Sequence, residues 1–360
     1  MKVLILNRRD PANPAAGGAE VYTHEIARGL TERGCQVTVL ASGFRGCEPR
    51  RLIDGVEYLR RGNEFTVHFI GFAHAVKKRA FYNVIIDEFN GMGFFCFLLP
   101  KSALLIHQMY RQFWFKELGP AGVLPYVLEP FALCLYRRRP VVTVSQSTRA
   151  DLEKLGFKNV RIVMNALNIK PPDTIPAKEA RPALVFLGRF RSTKRPDHAI
   201  RIFARVKKEV PHAQLWMIGS GGMEHELKLL ASGVGDVSFL GWLSEDEKFD
   251  RLGRAHVLIV PSVREGFGIN VIEAASQGTP AVGYDVHGLR DSIKDGITGL
   301  LAKSEEDAAA KIVTLFKDKE HYAKLSSNCL EYARGFNWET RRKEFCRFLE
   351  QAFPGLRFPK

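Results

Sequence analysis

The stretch Glu265-Gly266-Phe267-Gly268-Ile269-Asn270-Val271-Ile272-Glu273 sets two carboxylates on either side of a pair of glycines. Glycines at 266 and 268 allow a tight loop, and a helix starting near Gly268 turns unpaired N–H groups toward an anion. With a phosphate at that tip, Glu273 comes within reach of a ribose diol, and Glu265 points toward whatever is attached beyond a diphosphate. The plainer alternative is a glycine-rich helix start with one solvated Glu; two carboxylates bracketing the glycines argue against it. Upstream, Leu187-Gly188-Arg189-Phe190 and then Lys194 follow an apolar run. Cations in the loop after a parallel strand suit a diphosphate, because ligands of open α/β sheets bind at the carboxyl ends of strands. A solvated basic loop is the alternative for these two residues.

Two weaker signals lie in the first half. His107 ends the apolar run Ala103-Ile106, where an imidazole can hydrogen-bond a substrate hydroxyl or a developing anion, although a lone histidine is more often structural. Gly17-Gly18 follows the run Lys2-Leu6 and opens a helical pattern; for that pair alone, a turn needing positive φ is the simpler reading. Asp87-Glu88 is read as structural. The dinucleotide fingerprint GxGxxG is absent at Gly17, and Gly219-Ser220-Gly221-Gly222-Met223-Glu224 lacks its final glycine, so NAD is not the leading ligand.

Short β-branched runs alternate with longer amphipathic stretches, the pattern of parallel strands with helical crossovers. Strands are expected at Lys2-Leu6, Gln36-Leu40, Val56-Leu59, Val84-Ile86, Ala103-Ile106, Val141-Val144 and Arg161-Val163. The alternation restarts at Ala183-Leu187, Gln214-Ile218, Val237-Leu240, Val257-Val260 and Ala281-Tyr284. Prolines concentrated from Lys170 to Pro182 favour extended backbone and read as a linker. The chain of 360 residues is therefore divided into an N-terminal domain, 1–172, a second domain, 173–336, and a terminal helix, 337–360, whose apolar face at Phe345, Phe348, Leu349 and Ala352 must be buried.

The formal net charge of +14 predicts attraction to polyanions or phosphorylated substrates. Residues 1–170 hold 24 Lys and Arg against 14 Asp and Glu, so the excess is mainly amino-terminal. Six cysteines without CxxC or Cys/His spacing indicate neither a disulfide framework nor a zinc site. The first residues lack a signal-peptide core, and the longest apolar stretch, Gly91 to Ile106, is too short and interrupted to span a bilayer. A cytoplasmic location is expected.

Taken together, Gly17-Gly18-Ala19-Glu20, His107, Gly188-Arg189-Phe190 with Lys194, Glu265-x7-Glu273, Gln277-Gly278-Thr279-Pro280, Asp295-Gly296-Ile297-Thr298-Gly299-Leu300-Leu301 and Phe336-Asn337-Trp338-Glu339 resemble glycosyltransferase family 4, the retaining "group 1" enzymes. The resemblance covers nearly the whole chain and is strongest from Leu187 to Leu301. It implies an α/β GT-B architecture: two Rossmann-like domains with parallel sheets facing a cleft, the acceptor held by the first and a UDP- or GDP-sugar by the second. No cofactor and no catalytic metal are implied, since Arg189 and Lys194 would take the diphosphate and stabilise the leaving group.

By the same resemblance Glu273 binds ribose hydroxyls, Glu265 binds donor-sugar hydroxyls, and the amides of Phe267, Gly268 and Ile269, beside Gly266, meet diphosphate or sugar. Gly17 and Gly18 approach the diphosphate from the first domain, and His107 contacts the sugar near its reacting centre. The implied reaction is hexosyl transfer in glycolipid, lipid-linked oligosaccharide or cell-surface polysaccharide synthesis. Lys77-Lys78-Arg79, Arg137-Arg138-Arg139, Phe94-Phe95 and Phe113-Trp114-Phe115 fit a peripheral contact with an anionic membrane surface. The competing readings are a GT-B-fold epimerase or phosphorylase, and a non-catalytic nucleotide- or polyanion-binding protein; nucleic acid is not an expected partner.

Overall fold

The computed structural model describes residues 1–358. An eight-stranded sheet is built from β1 (Lys2–Leu6), β2 (Gln36–Ala41), β3 (Arg50–Ile53), β4 (Val56–Arg60), β5 (Val84–Glu88), β6 (Ser102–Ile106), β7 (Val141–Thr143) and β8 (Val160–Ile162), in the order β3-β4-β2-β1-β5-β6-β7-β8. A six-stranded sheet, ordered β11-β10-β9-β12-β13-β14, comprises β9 (Ala183–Leu187), β10 (Gln214–Ile218), β11 (Val237–Gly241), β12 (Val257–Val260), β13 (Ala281–Tyr284) and β14 (Gly299–Ala302). Central strands such as Val3–Leu6 and Ala183–Leu187 are buried along their whole length, as strands covered by helices on both faces must be.

The helices are α1 (Gly18–Glu32), α2 (Val67–Lys77), α3 (Gln112–Leu118), α4 (Val123–Cys134), α5 (Gln146–Lys154), α6 (Pro196–Glu209), α7 (Glu224–Ser232), α8 (Glu245–Arg254), α9 (Ile269–Ala275), α10 (Leu289–Ser292), α11 (Glu305–Lys317), α12 (Lys319–Ala333) and α13 (Trp338–Ala352). Local chemistry sets their starts. Pro196 opens α6, where its missing N–H costs nothing. Ser244 and Glu247 cap α8 reciprocally.

Every strand pairing is parallel except β3 with β4, a hairpin whose turn residues Asp54 and Gly55 have φ of 49° and 78°. Two positive φ values make a type I′ turn, the twist-matched hairpin for which Asp-Gly is suited. The sequence reading omitted β3, whose residues are mostly exposed and half of them charged, and also the short β14.

The chain forms two compact units. One comprises residues 1–111, 121–166 and the segment from Trp338 onward; the other comprises 112–120 and 167–337. The division therefore falls after Ala166, ahead of the proline-rich stretch. That stretch is part of the second unit and not a free linker: Lys178 Nζ donates to Gly253 O at 2.9 Å, Gln277 O at 3.2 Å and Thr279 Oγ1 at 2.7 Å. Burial pushes the Lys178 ammonium down to about 7.

In the first unit α13 packs its buried Phe345, Phe348 and Leu349 inward, and Arg342 lies along α1, donating from Nε to Glu25 O at 3.1 Å and from its guanidinium to Glu32 at 2.8 Å. The apolar face read from the sequence is thereby covered, with Trp338 meeting Tyr22 edge-on at 5.8 Å.

Candidate active site

In the six-stranded sheet the chain runs outward from β9 through β10 to β11, then returns to the other side of β9 with β12. The carboxyl ends of β9 and β12 therefore flank the switch point, where an open α/β sheet leaves a crevice between diverging loops. Gly188-Arg189-Phe190 leaves β9 there, and Pro261 to Glu265 leaves β12.

The two loops deliver a compact constellation. Lys194 Nζ donates to both carboxylate oxygens of Glu265, at 2.6 and 2.7 Å, and Ser262 Oγ donates to Oε1 at 2.7 Å. Val263 N–H bonds Thr193 O at 3.0 Å, which fixes one loop on the other. The backbone of Glu265 is clasped by His287: its N–H donates to His287 O, and His287 Nδ1–H donates to Glu265 O, both at 3.0 Å. Gly288 makes this clasp possible, since its φ is +83° and a Cβ there would stand 2.1 Å from Glu265 O. No motif pointed to Ser262, His287 or Gly288.

Arg189 is half-buried in its loop, and Phe190 is a core residue. That loop rests on the Gly219-Ser220-Gly221 turn, with Phe190 N–H bonded to Ser220 O at 2.8 Å and Gly188 N–H to Ile218 O at 3.0 Å. A Cβ on Gly219 would come within 2.0 Å of Gly188 O. The glycines that look like an unfinished dinucleotide fingerprint are thus a backbone seat for the cationic loop.

Gly268, with φ +92°, caps α9, and Glu273 lies on that helix. Its carboxylate pairs with Lys248 of α8, Nζ to Oε1 at 2.8 Å. Burial works against the charge on Lys248, but Glu273 and Glu245 together hold it above the ordinary lysine range. Lys248 is a further residue that sequence reasoning missed. The Phe267 ring is buried against Phe336, so only its backbone is available to a ligand.

In the first unit His107 emerges from β6 and is 9% exposed. Its Nε2 lies 3.2 Å from Glu88 Oε1, near enough for charge pairing but outside hydrogen-bond geometry. The other Glu88 oxygen accepts from Thr23 Oγ1 at 2.6 Å, and Tyr22 meets the imidazole edge-on at 5.1 Å. Glu88, taken with Asp87 as structural, therefore faces the histidine directly. Asp87 is structural: it accepts from the Phe94 and Cys96 amides and from Tyr136 OH, at 2.8, 2.9 and 2.6 Å.

The Gly17-Gly18 expectation needs correction on one point. Gly17 is extended, with φ −148°, so no positive φ is required, and its N–H donates to Glu20 at 2.7 Å. Burial pushes the Glu20 carboxyl up despite that bond. Gly18, the first residue of α1, is exposed.

Comparison with known proteins decides the family. Residues 171–334 match the family described as glycosyl transferases group 1, and residues 16–170 match glycosyltransferase family 4. The D-inositol 3-phosphate glycosyltransferase of Geodermatophilus obscurus is 33% identical over 381 residues, covering 91% of this chain and 83% of that protein. The chain belongs to the group 1, family 4 glycosyltransferases.

The fold of this glycosyltransferase is GT-B, as solved structures also show. Sucrose-phosphate synthase from Thermosynechococcus elongatus superimposes with TM-score 0.82 at 19% identity, covering 99% of this chain and all of that one. Anabaena HepE, solved with UDP and glucose, gives 0.72 at 18% identity, over 98% and 100% of the two chains. Among the described residues no helix is long and apolar enough to cross a membrane.

The first unit of the glycosyltransferase also carries a cation cluster outside the sequence motifs. Arg8 and Arg9, just beyond β1, share Glu64: Arg8 donates at 2.5 Å, and Arg9 donates through Nε and a terminal nitrogen at 2.6 and 2.7 Å. The Arg9 bond, assisted by the Arg8 charge and only partly opposed by burial, holds the Glu64 carboxyl down to about 2. A carboxyl lowered from its ordinary 4.5 contributes stability above that pH and loses it as pH falls toward 2. Glu64→Gln should therefore cost up to about 2–3 kcal/mol at neutral pH, with the gap to the parent closing through that acid window. Urea unfolding across a pH series measures it, and a gap independent of pH refutes the assignment.

Proposed function

We propose that the glycosyltransferase moves a hexosyl unit from a UDP- or GDP-sugar to an acceptor hydroxyl with retention of anomeric configuration. The observation that carries this is the Lys194–Glu265–Ser262 constellation at the switch point of the second sheet. An ammonium has three N–H donors, and two oxygens of one carboxylate occupy part of that capacity; the remainder is available to a diphosphate oxygen. A carboxylate has about four acceptor positions, so Glu265, already bonded by Lys194 and Ser262, still accepts from a sugar hydroxyl.

In this reading Arg189 and Lys194 bind the diphosphate and stabilise the charge that grows on it as the glycosidic bond breaks. The charge is assigned to these side chains and not to a metal. Glu273 takes the ribose hydroxyls through the oxygen that Lys248 leaves open, and the backbone from Gly266 to Ile269 lies along diphosphate or sugar. The acceptor hydroxyl attacks on the face the nucleotide leaves and passes its proton to a phosphate oxygen, so Glu265 is a binding group and not a covalent nucleophile. His107 of the first unit, which lies beside Glu88, is assigned in this reading to the sugar near its reacting carbon.

An anionic or lipid-borne acceptor fits the basic excess of residues 1–170, and the Geodermatophilus relative is named for an acceptor that carries phosphate. The proposed setting is the cytoplasmic face of a membrane, in glycolipid, lipid-linked oligosaccharide or cell-surface polysaccharide synthesis. A thermal-shift screen against UDP, GDP, ADP and their sugars tests the donor. Binding at one hundred times Kd adds about 2.7 kcal/mol of apparent stability. UDP or GDP should raise the melting temperature; a chain stabilised only by ADP, or by none of them, refutes the proposal.

A further inference from the structure

Helices α8 and α9 follow strands that are not neighbours, yet they pack together on one face of the second sheet, where Phe249 and Leu252 share a buried cluster with Val271 and Ala274. Lys178 pins their carboxyl ends, donating from Nζ to Gly253 O and Gln277 O. Apolar packing and that pin already join the two helices. The pair of Lys248 with Glu273 is a further tie, and it stands about one turn in from helix starts that lead off β11 and the β12 loop, on the carboxyl side of the sheet.

Local chemistry fixes Lys248. The Ser244–Glu247 box sets the start of α8, and Lys248 N–H donates to Ser244 O at 2.9 Å, so the register of the side chain is settled by its own helix. Its ammonium lies 4.7 Å from the centroid of the Phe249 ring, and only 13% of its side chain and 17% of that of Glu273 are exposed. So shielded a pair differs from the surface ion pairs that contribute little. Glu245, itself exposed, holds the same ammonium at 2.6 Å. Two carboxylates on one cation leave this spot net negative. An open carboxylate oxygen there accepts from hydroxyl groups and repels phosphate, which is the chemistry of an unphosphorylated diol.

We infer that Lys248 is a positioning residue that holds Glu273 ready for the ribose diol and thereby makes the site select ribonucleotides over deoxyribonucleotides. The inference deepens the donor reading above and rests on its placing ribose at Glu273. A glutamate without a partner samples several rotamers, whereas the bond from Nζ to Oε1 holds this carboxylate in one and leaves Oε2 open. Ordering of the side chain is then complete before a nucleotide arrives. A nucleotide that lacks the two hydroxyls gains nothing from that arrangement, so its affinity is independent of Lys248.

The test is calorimetric titration of the full chain with UDP and GDP, each beside its 2′,3′-dideoxy form. The parent should bind the ribonucleotide about tenfold or more tightly than the dideoxy form, as expected of hydrogen bonds to a charged group. Lys248→Met keeps the stem and removes the charge. It should weaken the ribonucleotide about five- to tenfold and leave the dideoxy form within about twofold of the parent, the loss matching one side chain that must be ordered on binding. In steady-state transfer the change should appear in KM for the sugar nucleotide with kcat unchanged, because ribose is held equally in the ground and transition states. Glu273→Gln should also lose the discrimination, and Lys248→Met/Glu273→Gln should lose no more than Glu273→Gln alone, as residues acting through one another require. Melting temperatures establish that each variant is folded. Equal weakening of both nucleotides in Lys248→Met, parental discrimination in it, or additive losses in the double variant overturns the inference. If Glu273→Gln loses discrimination and Lys248→Met does not, the ribose assignment stands and the inference alone falls. If Glu273→Gln keeps parental discrimination, the ribose assignment falls and the inference falls with it.

Discussion

Lys194→Met is expected to lower kcat/KM by about 10²–10³, the loss typical of removing one preorganised group that stabilises charge developing in the transition state. Lys194 Nζ bonds both Glu265 oxygens, and in the proposed mechanism it also meets the leaving diphosphate. The effect should fall on kcat more than on KM, because the stabilised charge grows only as the bond breaks.

A structural consequence accompanies it. Glu265 is 7% exposed, and without Lys194 its charge is left with Ser262 alone among these two partners. Losing one partner of a buried pair costs about 3–5 kcal/mol, but Lys194 is partly solvated, so about 1–2 kcal/mol is expected. The double variant Lys194→Met/Glu265→Gln separates the two effects. It should recover most of the stability and none of the activity, as read by steady-state transfer and urea unfolding. Recovery of transfer in the double variant, or a single variant with parental kcat, removes Lys194 from the reaction.

Gly288→Ala should be the most damaging small substitution near the site. It forces an L-residue to φ +83°, which costs about 1–2 kcal/mol, and drives a Cβ to 2.1 Å from Glu265 O, where relief by backbone shift adds about 1–3 kcal/mol. The shift must move Glu265 itself, breaking the clasp with His287, so transfer activity should fall together with stability. Gly296→Ala is the control: φ there is +72°, but nothing lies within 4 Å of the added Cβ. It should show the conformational cost alone and parental activity. Equal losses in the two variants would mean that the contact with Glu265 is immaterial.

Much of the architecture was legible in the residues. Buried strands flanked by crossover helices read as continuous apolar runs, so every central strand was anticipated within a residue or two. β3 was missed because an edge strand with two arginines has no apolar pattern, although its Asp54-Gly55 turn was a usable hairpin signal. The proline-rich stretch misled for a related reason. Its composition denotes extended backbone, which a free linker and a segment laid along a domain share, and only the bonds from Lys178 distinguish them.

Which residue types stand at the carboxyl ends of the strands was already written in the sequence: His107 in the first unit, and Arg189, Lys194, Glu265 and, one helix further, Glu273 in the second. Glycine spacing and strand periodicity are local properties, and they place loops. The tertiary structure alone decided which of these groups meet and what holds them. It paired Lys194 with Glu265 across 71 positions and Glu273 with Lys248 across 25, and it turned Glu88 from a buried strand residue into the neighbour of His107. It also left Val123, Val127 and Phe131 of α4 exposed, although the composition of that helix matches a buried one. Those partners come from different strands and helices, and no local pattern encodes a distance between elements. Sheet order sets that distance, and sheet order follows from how the whole apolar surface is buried at once.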